Sequence, residues 1–454
     1  MKQDVIAIFD IGKTNKKILL FDKQLKLVYQ KEQKIEEILD EEGYSCDDLP
    51  LIEAWIIEEI RQFSFSADYS LKAVNFATYG ATLIYLDKSY KRLTPAYNYL
   101  KPMPEDVLAN FYQKYGGIEE FSRNTASPAL GMLNSGLQIL WLKKHKPEVF
   151  MQVSSILHLP QYFYFLVSKQ ITSELTSIGC HTAMWDFDKN CYHAWLADEK
   201  IELPVPVAND ESTEVIVNEL KIQVGIGIHD SSSSLVPYLK GSSEPFILIS
   251  TGTWCIFMNP FNDEPLTAGQ LRKDSLCYIS TRQKQVKSSR LFMGHIHDVN
   301  FQRIADHFGI KSDYYKGVEA NEEFINRLQE RIFFKNGVNT DFIDLSVDLS
   351  AFNSAEEAYH QLVIDISYLA LESLKLVIPE NDNTTSVYVT GGFARNIIFL
   401  RLLATLLPGK TIYTSEVDNA TAFGAAITLW NKAFIGTEPI VDLGLKKIDA
   451  FKII

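Results

Sequence analysis

Short apolar runs broken by glycine turns set the rhythm of this chain. Residues 5–9, 17–21 and 25–30 read as three strands, joined by turns at 12–15 and 22–24, which predicts an antiparallel opening unit. A helix at 51–63 and a strand at 72–78 follow. The second half repeats the theme: strands at 246–250, 254–259 and 275–282, then a long helix at 354–377 with apolar residues at helical spacing. Near the end, a strand at 386–389 runs into Thr390-Gly391-Gly392, followed by helices at about 395–407 and 419–434. Small residues in Phe423-Gly424-Ala425-Ala426 predict close packing of the last helix. Each half thus opens with strand, glycine turn, strand, and the polar stretch 240–245 divides them. The expected domains are 1–243 and 244–454, both α/β, with a cleft between them.

Composition narrows the class. A chain of 454 residues with 46% hydrophobic and 22% charged residues has material for two large cores. The net charge of −13 is spread along the chain, which argues against a nucleic-acid groove and for a small-molecule partner. Five widely spaced cysteines form no Cys-x-x-Cys pair, as expected of a protein in a reducing cytoplasm. Neither a signal-peptide core nor an apolar stretch of about 20 residues is present, so no membrane partner is expected. Composition leaves a homodimer open.

Candidate chemistry gathers at the glycine turns. Gly12-Lys13-Thr14 looks like the end of a P-loop, but Ala7 stands where that motif needs glycine and residues 17–21 read as strand, so the P-loop reading fails. A hairpin turn of Gly12, Lys13, Thr14 and Asn15 still offers backbone N–H groups and a cation to phosphate, or is simply a turn. Asp10, at the end of the first strand, either holds Mg²⁺ or caps that turn. Residues 246–257 form a second glycine hairpin around Thr251, Gly252 and Thr253. Asp230, ahead of four serines, is either a helix N-cap or a proton acceptor, and His229 beside it bonds either a sugar hydroxyl or a backbone carbonyl. Tyr79-Gly80 ends a strand, where ligands of α/β sheets gather. His295 and His297 stand two apart, a spacing that turns them to different sides and argues against a shared metal.

Five segments in order resemble the FGGY carbohydrate kinases, which have two duplicated actin-like (ribonuclease-H-like) ATPase domains. They are residues 9–22; Leu140-Trp141-Leu142-Lys143 with Tyr162 through Asp186; Gly227 to Asp230; Ser250 to Trp254; and Gly391 to Asn396 with Gly424-Ala425-Ala426. The resemblance implies ATP-dependent phosphorylation of a sugar hydroxyl, with Mg²⁺ and ATP bound across the cleft. It makes Asp230 the general base and places adenosine at Gly391, Gly392 and Asn396. His229-Asp230 and the Gly-Thr-Trp hairpin look most like the branch acting on L-rhamnulose or L-fuculose. The alternatives are another ketose or polyol, such as D-xylulose or D-ribulose, or a non-catalytic sugar or nucleotide sensor on the same fold. Lys13-Thr14-Asn15, Tyr97-Asn98-Tyr99 and Phe393 depart from the branch's usual residues.

Overall fold

The structure is a computed structural model and describes residues 2–328, 331–335 and 337–452. Among these residues are two seven-stranded sheets. The first contains β1 (Gln3–Ile11), β2 (Lys16–Asp22), β3 (Leu27–Gln33), β4 (Tyr69–Thr78), β5 (Ser212–Val217), β6 (Leu220–Gly225) and β7 (Ile228–His229). Its order is β5-β6-β4-β1-β2-β3, with β7 also pairing with β4. The second contains β8 (Phe246–Thr251), β9 (Cys255–Asn259), β10 (Ser275–Ile279), β11 (Gln285–Leu291), β12 (Ser386–Gly391), β13 (Thr411–Thr414) and β14 (Lys446–Ile448), in the order β10-β11-β9-β8-β12-β13-β14. In both sheets the opening strand pairs antiparallel with the next (β1 with β2, β8 with β9) and parallel with a later strand on its other side (β4, β12). The repeat expected from the glycine turns is therefore a repeat of topology.

Strand alternation sorts each sheet into two faces. Val5, Ala7, Phe9 and Ile11 point outward onto α1 (Leu49–Ser64) and α2 (Leu159–Ser168). Helix α1 forms because Ile52, Trp55, Ile56, Ile60 and Phe63 recur at helical spacing and Asp48 caps its start by accepting the Leu51 N–H. Ile6 and Ile8 point the other way, into a core shared with Phe246 and Leu248 of β8. Between the sheets lie α3 (Asp230–Gly241) and α7 (Ala420–Ala433), while α4 (Met293–Phe308), α5 (Ala355–Lys375) and α6 (Ile397–Leu406) cover the outer face of the second sheet.

Helices α3 and α7 cross at the centre. A Cβ on Gly424 would overlap the Ser233 carbonyl oxygen, so the close approach needs glycine. Helix α7 comes from the second half of the sequence yet packs on β1 and β4 of the first sheet, while Tyr238 of α3 stacks on Tyr388 of the second, 6.1 Å between rings. This mutual packing fixes the start of α3 against both sheets.

One strand departs from expectation. The expected strand 275–282 ends at Ile279, and after a turn with Gln283 at φ 56° the chain returns as β11. Lys287, Ser288 and Ser289 hide that strand from a reading of apolar alternation. All three are buried, with Lys287 donating to the Pro265 carbonyl at 3.1 Å and Ser289 to the Ser373 carbonyl at 2.7 Å.

Candidate active site

Asp10 lies on the inward face of β1, in line with Ile6 and Ile8, and pairs in register with Lys17 of β2. The two side chains share that face and point toward α3. Burial, then the negative charge of Asp230, pushes the Asp10 carboxyl up from 3.8 to about 6, with Lys17 pulling the other way. Lys17 carries a cation into the site that the sequence reading passed over, although the register of a glycine hairpin was the signal that would have found it.

Asp230 arrives at the same place through β7. Gly227, at φ 85°, makes the turn before it, and a Cβ there would stand 2.6 Å from Pro160. His229 then pairs with Thr78 at the end of β4, and α3 begins. Of the two readings of Asp230, the cap is the one that falls: the N-cap is His229, whose Nδ1 lies 3.2 Å from the Ser231 N–H, and Asp230 is the first helical residue. The Ser231 N–H has a nearer acceptor in Asp230 Oδ1 at 2.6 Å, and that oxygen lies 3.3 Å from His229 Nδ1. His229 is buried; burial opposes its charge, but Cys180 and Asp230 raise it to about 10. Its ring fills the space over Gly80, where a Cβ would stand 2.6 Å from Nε2. Gly80, His229 and Asp230 thus form one corner at the carboxyl ends of the strands.

Tyr79 and Lys13 belong to a neighbouring network. The Tyr79 hydroxyl donates to Asp47, and the Lys13 ammonium binds Asp47 at 2.9 Å and also pairs with Glu37. Lys16, fully buried, binds the other Asp47 oxygen at 3.0 Å. Burial works against the Asp47 charge, yet Tyr79, Lys13 and Lys16 hold its carboxyl below the ordinary carboxylate range. Lys13 is therefore engaged away from Asp10. Gly12 donates its N–H to the Asn15 carbonyl at 2.9 Å, closing the turn, and Thr14 and Asn15 are exposed at its tip.

In the second hairpin, Thr251 lies on the outward face and its hydroxyl donates to the Thr390 carbonyl while accepting the Phe393 N–H at 3.0 Å. Ser250, one position earlier, faces inward and lines a cavity of about 310 Å³ in the cleft. Cys180, His181, Ser231, Ser234, Tyr278 and Arg290 also line it. Gly252 and Thr253 are exposed at the tip, and the Thr253 carbonyl accepts the Gly294 N–H at 3.1 Å. Gly391 sits at φ 86° with its α-carbon against the Thr251 carbonyl, while Gly392 faces open space. Asn396 caps α6 by accepting the Phe399 N–H at 3.1 Å and donates to the Tyr359 hydroxyl at 2.8 Å. On α4, His297 is buried beside Tyr359 and Phe393, whereas His295 stacks on Phe292 at 4.6 Å.

Two carboxylates and a lysine thus converge from one half, and Ser250 of the second hairpin shares a cleft cavity with Ser231 beside them. Two family models cover most of the chain: "FGGY family of carbohydrate kinases, N-terminal domain" over residues 5–231 and "Carbohydrate kinase FGGY, C-terminal domain" over residues 243–437. The chain belongs to the FGGY family of carbohydrate kinases. As a member it is an ATP-dependent phosphotransferase acting on a carbohydrate, with two actin-like domains around a cleft. It is 23% identical to a rhamnulokinase of Halalkalibacterium halodurans, over 92% of this chain and 90% of that protein. In fold it is similar to a carbohydrate kinase from Novosphingobium aromaticivorans (TM-score 0.81, 21% identity, covering 100% of this chain and 95% of that one). It is also similar in fold to a xylulose kinase from Lactobacillus acidophilus (TM-score 0.75, 17% identity, covering 98% and 92%). Among the described residues no helix is long and apolar enough to cross a membrane.

Proposed function

We propose that this FGGY kinase phosphorylates a ketose of the 6-deoxy class, L-rhamnulose or L-fuculose, with Asp230 as the general base. The observation that carries this reading is the His229-Asp230 corner facing Asp10 and Lys17, in a chain whose full-length relative is named a rhamnulokinase. Asp230 removes the proton of the attacking sugar hydroxyl as its oxygen bonds to the γ-phosphorus and the bond to the ADP oxygen breaks. His229, whose Nδ1 stands 3.3 Å from Asp230 Oδ1, sets the place of that carboxylate through its buried ring. Lys17 and the N–H groups of both glycine turns neutralise charge on the transferred group.

Asp10 and Asp230 supply hard oxygen donors, and the raised Asp10, shifted first by burial and then by the charge of Asp230, fits a site for Mg²⁺. Bound there, Mg²⁺ supplies charge compensation for the triphosphate. Tyr79 shapes the sugar side through Gly80, and Gly391 and Gly392 leave room for adenosine. Residues 1–243 form the sugar-binding domain and 244–454 the nucleotide domain, in a cytoplasmic enzyme. The test is ADP release measured with a panel of ketoses and polyols. Stimulation of about 10-fold or more by a 6-deoxy ketose supports the assignment. Stronger stimulation by D-xylulose or D-ribulose moves it to another ketose, and equal ADP release with and without every sugar refutes kinase activity.

A further inference from the structure

A cavity of about 580 Å³ opens off the cleft, between the turn 87–91 that follows the strand Leu83–Leu86 and the far end of α2. Helix α2 starts where Pro160 packs against Gly227, and its ten residues carry the chain roughly 15 Å from there. Two residues of the lining hold a backbone conformation that favours glycine. Tyr90, at φ 63°, takes the left-handed corner of its turn, with its N–H on the Asp87 carbonyl at 2.9 Å. Lys169, at φ 60°, ends α2, with its N–H on the Phe165 carbonyl at 2.9 Å. Glycine fits either corner without strain. Each residue instead brings a side chain to the same ring: Tyr90 meets Phe165 at 5.6 Å between centroids, and the Lys169 ammonium lies 5.6 Å over it. Packing alone does not account for the strained turn, since Tyr90 stays 55% exposed. Backbone strain of this kind clusters at ligand sites.

Charge is the second, independent observation. Lys91, Arg92 and Lys169 line the cavity against one carboxylate, Glu53, in a chain whose net charge is −13. Glu53 is taken by Arg92 and by the Tyr162 hydroxyl, which donates at 2.7 Å. Asp87 feels the Lys91 charge, but its Oδ1 accepts from the Ser89 N–H, the Ser89 hydroxyl and the Lys91 N–H. The Lys169 ammonium donates to the Leu166 carbonyl at 2.9 Å, and among the described residues no ion pair holds it or Lys91. The lining therefore has two cations in surplus beside an exposed aromatic face.

We infer that this cavity binds a phosphomonoester that carries a ring, either a sugar phosphate or a nucleoside monophosphate. The phosphate, with about two negative charges at neutral pH, meets Lys91 and Lys169, and the ring lies on the open face of Tyr90. The cavity has the size for either ligand. The site is separate from the cleft and does not depend on the assignment of Asp230 as base.

The test is isothermal titration of the full-length protein with AMP, D-fructose 1-phosphate and inorganic phosphate, each with a saturating non-hydrolysable ATP analogue present to fill the cleft. AMP, D-fructose 1-phosphate or both should bind with Kd below about 1 mM and at least about 10-fold more tightly than inorganic phosphate. Which of the two binds identifies the ring. In the double variant Lys91→Gln with Lys169→Gln, that binding should weaken at least about 10-fold, with melting temperature and affinity for the ATP analogue at the parent's values. Tyr90→Gly separates ligand from packing: relieved of the left-handed corner, it should melt at or above the parent's temperature, yet bind the ring-bearing probe at least about 3-fold more weakly and inorganic phosphate as before. No binding of either ring-bearing probe, binding no tighter than that of inorganic phosphate, or full affinity in the double lysine variant overturns the proposal. A Tyr90→Gly variant that melts lower and keeps its affinity for the probe also overturns it, since the ring would then serve packing.

Discussion

Asp10 and Asp230 face each other from different elements, the end of β1 and the start of α3, and the charge of Asp230 helps to hold a proton on Asp10. Two carboxylates brought together in a half-buried corner cost stability, and packing elsewhere must hold them there. The crossing of α3 and α7 at Gly424 does so by wedging the start of α3 between the sheets. Such arrangements concentrate at functional sites.

The penalty on the Asp10 charge, set first by burial and then by Asp230, has a sign and a pH window. The folded value of Asp10, about 6, lies above its ordinary 3.8, so the folded state binds this proton more tightly. The penalty is absent below about pH 4, grows as pH rises from about 4 to about 6, and is constant above that. Asp10→Asn should therefore melt higher than the parent at pH 7.5 without ligands, by up to about 3 kcal/mol from two pKa units, with the gap closing near pH 4. Equal melting temperatures at pH 7.5 would show that neither burial nor Asp230 penalises the charge of Asp10.

Gly252 and Gly391 should separate ligand space from folding. A Cβ on Gly391 would overlap the Thr251 carbonyl at a φ of 86°, so Gly391→Ala should lower the melting temperature clearly. At Gly252 the nearest atom to an added Cβ is 3.6 Å away, in ordinary contact, so Gly252→Ala should fold like the parent. Its KM for ATP should rise by about 3- to 10-fold, the loss of roughly one phosphate contact. A normal KM in a well-folded Gly252→Ala would mean that this hairpin does not hold phosphate.

Much of this was legible in the chain because it is local. Strand-turn-strand openings, the long helix α5 and the turn before Asp230 are written in apolar spacing and glycine. The partners were not. Lys13 looked like a phosphate ligand because only tertiary structure brings Asp47, 34 residues on, beside it. Thr251, read with Gly252 and Thr253 as one hairpin, turns its hydroxyl to the outward face, because sheet face separates it from Ser250 and one residue of register reverses the answer. His229 takes the cap that stood as the alternative role of Asp230, a place hard to read in the chain because imidazole nitrogen is a less usual cap than carboxylate.

The two lysines of the first hairpin make opposite forecasts. Lys17→Met should leave the melting temperature near the parent's and lower kcat at least about 10-fold, since it removes a cation facing the transferred group. Lys13→Met should weaken the pairing of buried Asp47 and cost about 1–3 kcal/mol of stability, with kcat within about 3-fold of the parent. Thermal melts and sugar-dependent ADP release on both variants check this. The reverse pattern would return the phosphate role to Lys13.

The central claim, that Asp230 is the base, is tested most directly by Asp230→Asn, with melting temperature and ketose-dependent kcat measured on one preparation. The amide oxygen still accepts the Ser231 N–H now held at 2.6 Å, and the repulsion with Asp10 disappears, so the variant should melt at or above the parent's temperature. An amide does not take the sugar's proton, so kcat should fall at least about 100-fold while ATP still binds. A variant that melts like the parent and turns over within about 3-fold of it would contradict the account.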